Sequence, residues 1–227
     1  MNRFTKKDKI IDLIEANYHL LPVINRFGIN LGNMDKSLEK ICLSQNINVG
    51  FCLVIINTFH DEDYFPETEL KSFSPMLIID YLKKTHQYYI EYVLPKLEYL
   101  LRQLIESNKT EIRQLDIIEQ FYKKYREELL LHIKEEEEQV FPYIKDLLAD
   151  QHTTAKYNIH TFEKEHSNVD IKLNDLKNLI IKYIAPVYDI NTCNEFLITL
   201  FRFEKDIKDH ARIEDKILIP QVVELEK

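Results

Sequence analysis

The chain has 227 residues, a formal net charge of −8, three glycines and no tryptophan. The acidic balance excludes nucleic acid as a main partner, because phosphate binding needs a basic face. The longest apolar run, Phe51 to Ile56, is far too short to span a bilayer.

This length holds one large domain, or a standard domain with a small one. Few glycines with abundant Leu, Ile, Glu and Lys predict an all-α protein, and plentiful Tyr and Phe allow an aromatic core. The opening, Met1 to Lys9, runs straight into an amphipathic pattern with no signal-peptide stretch. Cys42, Cys52 and Cys193 are odd in number and scattered, which reads as buried thiols of a reducing compartment. The expectation is a cytoplasmic protein that does not enter a membrane.

Residues 1–60 read as a small domain of short helices. Ile10, Leu13, Ile14, Leu20, Leu21, Val23, Ile24 and Phe27 recur at helical spacing. Phe27 to Asn33 is a turn in which Gly28 and Gly32 supply positive φ. Asp35 to Cys42 and Val49 to Phe59 each predict a further helix. Residues 61–75 are acidic, proline-bearing and aperiodic, and read as a linker. It ends at Ser74-Pro75, a helix-start pair of N-cap serine and first-turn proline.

Residues 76–227 predict an up-down-up-down four-helix bundle, with helices over roughly 75–106, 111–149, 155–184 and 191–218. Pro95 lies nine residues after His86, Pro142 ten after His132 and Pro220 ten after His210. A proline inside a helix frees the carbonyl four residues back and kinks the axis. The three helices therefore either bend at these prolines or, for Pro142 and Pro220, end there.

Six residues in this bundle carry chemistry. His132/Glu136 and His210/Glu214 repeat one H-x-x-x-E pattern, and His86 and His166 each stand one helix earlier. A residue and its fourth neighbour lie about 40° apart around a helix and about 6 Å along it, so both reach one site. In an antiparallel hairpin, residues at one level are equidistant from the turn. The midpoints of successive histidines fall at Lys109, Ala149 and Tyr188, all in or beside polar or breaker-containing stretches. The spacing thus puts four imidazoles and two carboxylates in one layer. That donor set suits iron, manganese or zinc and not calcium.

Ile79, Tyr125, Phe162 and Phe203 precede the histidines, and Ile90, Val140, Val169 and Leu218 follow the ligand groups. They predict a dry apolar lining that favours O2 or NO over charged ligands. His19, His60, His152 and His160 do not fit the layer and read as structural or solvated. Glu135 and Glu138 are candidates to steady a ligand histidine from behind. Glu165 is a candidate for a proton or access path.

At these residues the chain resembles a hemerythrin-like (HHE) domain. Leu77 to Tyr81 through Thr85-His86, His132 to Glu136 with Phe141-Pro142, Glu165-His166 and His210 to Glu214 carry the likeness. The layout of small N-terminal domain and bundle, with Ile24 to Ile29 in the former, resembles the iron–sulfur cluster repair di-iron family (RIC, ScdA or YtfE). The resemblance implies two non-haem irons bound terminally by His86, His132, His166 and His210. Glu136 and Glu214 bridge them, with oxo or hydroxo bridges balancing the charge. It also implies NO and O2 as ligands, iron–sulfur client proteins and an external electron donor as partners, and a stress response through iron donation or NO reduction. The alternative is a non-catalytic sensor or store that signals through its N-terminal domain. In the family that domain usually carries adjacent cysteines. Here the place reads Asn30-Leu31-Gly32-Asn33, which leaves it a docking or dimerisation role.

Overall fold

The computed structural model describes residues 2–32, 34–107, 112–149, 159, 169–183 and 188–226. These residues form helices joined by turns. Among them there is no strand, only an isolated bridge between Lys9 and Ser37. No helix among them is long and apolar enough to cross a membrane.

The chain divides into two compact units, residues 1–84 with 212–221, and residues 85–211 with 222–227. The first contains α1 (Ile10–Ala16), α2 (Leu20–Arg26), α3 (Leu38–Ser44) and α4 (Val49–His60). α3 begins at Leu38, later than the expected Asp35, because the Ser37 side chain accepts the Lys40 N–H and sets the helix start there. Asn48 caps α4 in the same way by accepting from the Phe51 N–H. Gly28 and Gly32 do take positive φ, +80° and +113°. Ile10, Leu13, Leu20, Val23, Ile41, Ile55 and Ile56 form the core of this unit.

Cys42 and Cys52 are fully buried there and hydrogen-bond to each other. The hydrogen bond from Cys52 lowers the Cys42 thiol below its ordinary range. The same bond, and then burial, push the Cys52 thiol well up.

Within the stretch expected to be aperiodic, a short helix α5 (Glu67–Leu70) buries Leu70 completely. The late segment 212–221 joins this unit through side chains. Gln221 donates to the carbonyls of Phe73 and Lys71 at 2.9 and 3.0 Å, and the Arg212 guanidinium lies 4.4 Å over the Phe65 ring.

Four longer helices follow: α6 over 75–107, α7 over 112–148, α8 (Val169–Tyr183) and α9 over 190–225. In the second unit, Leu97, Leu101 and Leu104 of α6 join Leu115, Ile118 and Leu129 of α7 in one core. Leu173, Leu176 and Ile180 of α8 and Phe196, Leu200 and Phe203 of α9 complete it. Each helix contributes an apolar stripe at three- and four-residue spacing, as a bundle requires.

Three of these helices contain one π-helical turn: Tyr89–Val93 in α6, Glu136–Val140 in α7 and Glu214–Leu218 in α9. Each is followed, after one residue, by proline. The N–H of the residue before the proline (Leu94, Phe141 or Ile219) donates to the carbonyl five residues back. Proline has no N–H to continue the regular ladder, and the widened turn accommodates that loss without breaking the helix. Pro142 and Pro220 therefore end nothing. α9 runs on to Leu225, beyond the expected end at 218.

Candidate metal centre

Two of these π turns begin on the glutamate of an H-x-x-x-E pair, Glu136 and Glu214. Their side chains meet the two histidines His86 and His210. Each of the four residues offers one ligand atom, and these atoms lie within 4.8 Å of one another. Glu136 and Glu214 are each 1 % exposed, His86 is fully buried and His210 is 5 % exposed.

The contacts show how each side chain is aimed. Nε2 of His86 lies 3.0 Å from Oε2 of Glu136 and 3.3 Å from Nε2 of His210. Nε2 of His132, on the helical turn before Glu136, lies 3.1 Å from Oε1 of that glutamate. Glu136 thus has one oxygen toward a histidine of its own helix and the other toward a histidine of α6. His132 stands at the edge, with its side chain 17 % exposed. His166, the remaining expected ligand, lies outside the described residues, as do His152, His160, Phe162 and Glu165.

Aromatic rings surround the histidines. Phe141 stacks on His86 with the ring planes 8° apart. Tyr89 meets the His210 ring edge-on, with centroids 5.7 Å apart, and packs against Phe203. The Tyr89 hydroxyl donates to Asp206 at 2.9 Å. Ile79, Tyr125, Val140, Phe203 and Leu218 are buried, as a dry lining requires.

Ile90 is a correction: it is 40 % exposed, while Tyr89 and Val93 are buried. The expectation stepped four residues from His86 at the α-helical angle. The π turn beginning at Tyr89 changes the angle per residue and turns Ile90 outward.

The acidic run corrects a second expectation. Glu137, not Glu135 or Glu138, reaches a ligand histidine, with Oε1 3.0 Å from Nδ1 of His86. Glu138 is exposed and lies 3.9 Å from Lys134, one turn back on its own helix. Sequence reasoning missed Glu137 because it placed the run on a regular helix. The Pro142 offset was the available signal. Of the other histidines, His60 is structural, with Nδ1 3.4 Å from the Asn17 amide and its ring against Phe4.

Two imidazoles and two carboxylates buried within one ligand radius of each other fit a divalent first-row transition metal. Nitrogen and carboxylate oxygen suit iron, manganese or zinc, and like-charged carboxylates collected in a buried place need positive charge among them. Residues 77–222, more than half of the chain, match the family model described as the hemerythrin HHE cation-binding domain. No curated protein matches the chain.

Proposed function

The chain belongs to the hemerythrin HHE cation-binding family. From that premise we propose that it is a cytosolic non-haem di-iron protein serving iron–sulfur cluster repair and the response to nitric oxide and oxidative stress. The carrying observation is the buried cluster of His86, Glu136, His210 and Glu214. His132 and His166 complete the proposed ligand set, with Glu136 and Glu214 as bridging carboxylates. What supports the cluster-repair reading is the order of parts, a small helical region ahead of a bundle that carries the six donors.

The protein's contribution is to hold these donors in place and keep water away. Phe141 on the His86 face and Tyr89 at the His210 edge fix both rings before any ion arrives. Val140, Phe203 and Tyr125 shield the ligand layer, and an apolar shell strengthens every charge interaction inside it. Six protein donors would not saturate two metal ions, which would suit a small diatomic ligand. Bound iron would supply one-electron redox chemistry and affinity for NO and O2. The N-terminal helices carry no cysteines consecutive in sequence, so their proposed role is docking. That feature also favours the rival reading, a non-catalytic sensor or store that signals through them.

One experiment separates the readings. Protein loaded with ferrous iron without oxygen is exposed to NO and a reductant, and N2O is measured in the headspace. Several turnovers of N2O per chain support reduction, whereas a stable nitrosyl absorption with no gas supports the sensor. Transfer of iron to an apo-cluster protein, without N2O, supports donation. A stable nitrosyl with neither N2O nor iron transfer would overturn the repair reading in favour of the sensor.

A further inference from the structure

We infer that Glu137 is a positioning residue for the metal centre: its carboxylate holds the proton of His86 on Nδ1, so that Nε2 is presented to a cation as a lone pair. The inference rests on the metal-centre reading above, and its test distinguishes failure of one from failure of the other.

His86 is contacted at both nitrogens. Nε2 faces the cluster, 3.0 Å from Glu136 and 3.3 Å from His210, and Nδ1 faces away from it, 3.0 Å from Oε1 of Glu137. A neutral imidazole carries one proton, and the nitrogen that bears it is set by the hydrogen bond the ring makes. A carboxylate only accepts, and both nitrogens face one at 3.0 Å; once a cation takes the Nε2 lone pair the ring proton has to sit on Nδ1, where Glu137 accepts it. Phe141, stacked on the ring face, removes the remaining freedom to tilt. His86 is fully buried while the Glu137 side chain is one-third exposed. The ligand is therefore steadied by a carboxylate that keeps part of its hydration.

Glu136 and Glu137 are consecutive, and on a regular α-helix they would point about 100° apart. Here both reach the same imidazole, one at each nitrogen. The π turn starts at Glu136, and its wider coil narrows the angle between neighbours. Pro142, just beyond that turn, is the sequence feature that accompanies it. The acidic run 135–138 is thus divided by role: one glutamate to the ion, the next to the ion's ligand, and Glu138 to solvent.

The test uses the full chain as wild type and as Glu137→Ala, Glu137→Gln and Glu137→Asp. Affinity for ferrous iron and for cobalt(II) is measured without oxygen against a competing chelator, and the cobalt-loaded proteins are examined by proton NMR. Loss of such a partner weakens metal binding by roughly 10- to 100-fold. The inference predicts that loss for Glu137→Ala, a smaller loss for Glu137→Gln, whose amide oxygen still accepts, and recovery in Glu137→Asp. It also predicts that, among the solvent-exchangeable, strongly shifted ring N–H resonances of wild type, one is moved or lost to faster solvent exchange in Glu137→Ala. A merely structural role would not move that resonance, and far-ultraviolet circular dichroism of the metal-free variants controls for folding. Wild-type affinity with an unchanged resonance in Glu137→Ala would overturn the role of Glu137 and leave the centre standing. Failure of wild type to bind either ion would overturn the centre itself.

Discussion

Nε2 of His86 lies 3.3 Å from Nε2 of His210, although 124 positions separate them in the chain. Two imidazole lone pairs at that distance repel, so a proton or a cation has to mediate the contact. Glu136, 3.0 Å from the same His86 nitrogen, makes the neighbourhood one of converging donors.

Glu136→Ala or Glu214→Ala should lower the iron content toward one per chain or less, because each removes a buried carboxylate from the cluster. Plasma emission analysis of protein loaded with ferrous iron and desalted measures this directly. Two irons retained in either variant would refute a bridging role for that residue.

His60→Ala should leave iron content unchanged and lower stability. Its ring packs on Phe4 and shares a part-buried hydrogen bond with Asn17, an interaction worth about 0.5–1.5 kcal/mol before the lost packing is added. Iron content and urea denaturation of the same preparation check both halves. Iron loss without unfolding would show that this histidine had been misassigned.

Glu204 links stability to pH. Burial raises its carboxyl, but hydrogen bonds from Lys177 at 2.5 Å and Lys208 at 2.8 Å outweigh burial and hold it below the ordinary value of 4.5. A carboxyl depressed on folding contributes stability above its unfolded pKa and loses it as pH falls through the folded pKa. Thermal midpoints should therefore fall on acidification below about pH 4.5, and less steeply in Glu204→Gln. Parallel acid slopes in the two proteins would contradict this account of the ion cluster.

Phe196 is fully buried in the bundle core and stands outside the ligand cluster. Phe196→Ala should cost about 3–5 kcal/mol through lost transfer energy and the cavity left behind. Denaturant titration of the metal-free chain measures it. A cost under about 1 kcal/mol would mean that the core collapses around the gap.

The centre was legible in the sequence to the extent that it obeys α-helical arithmetic. The H-x-x-x-E spacing puts each histidine and glutamate on one face, and turn midpoints align His86 with His210 through the intervening helices. Four of the six residues so chosen stand together, and His132 touches one of them. The arithmetic failed where the helix departs from α geometry. Ile90 was expected inside and faces out, and Glu137 was passed over in favour of its neighbours. Both errors fall within a π turn that precedes a proline, and the matched prolines were the visible trace of those turns. Ser37 shows the same limit on a smaller scale, because a cap residue rather than apolar periodicity decided where α3 begins.

The most direct measurement is an anomalous-scattering map at the iron absorption edge, from crystals grown anaerobically with ferrous iron. The account predicts two peaks, both lying among His86, Glu136, His210 and Glu214. A map without a peak in that cluster, from protein that takes up iron elsewhere or not at all, would contradict it.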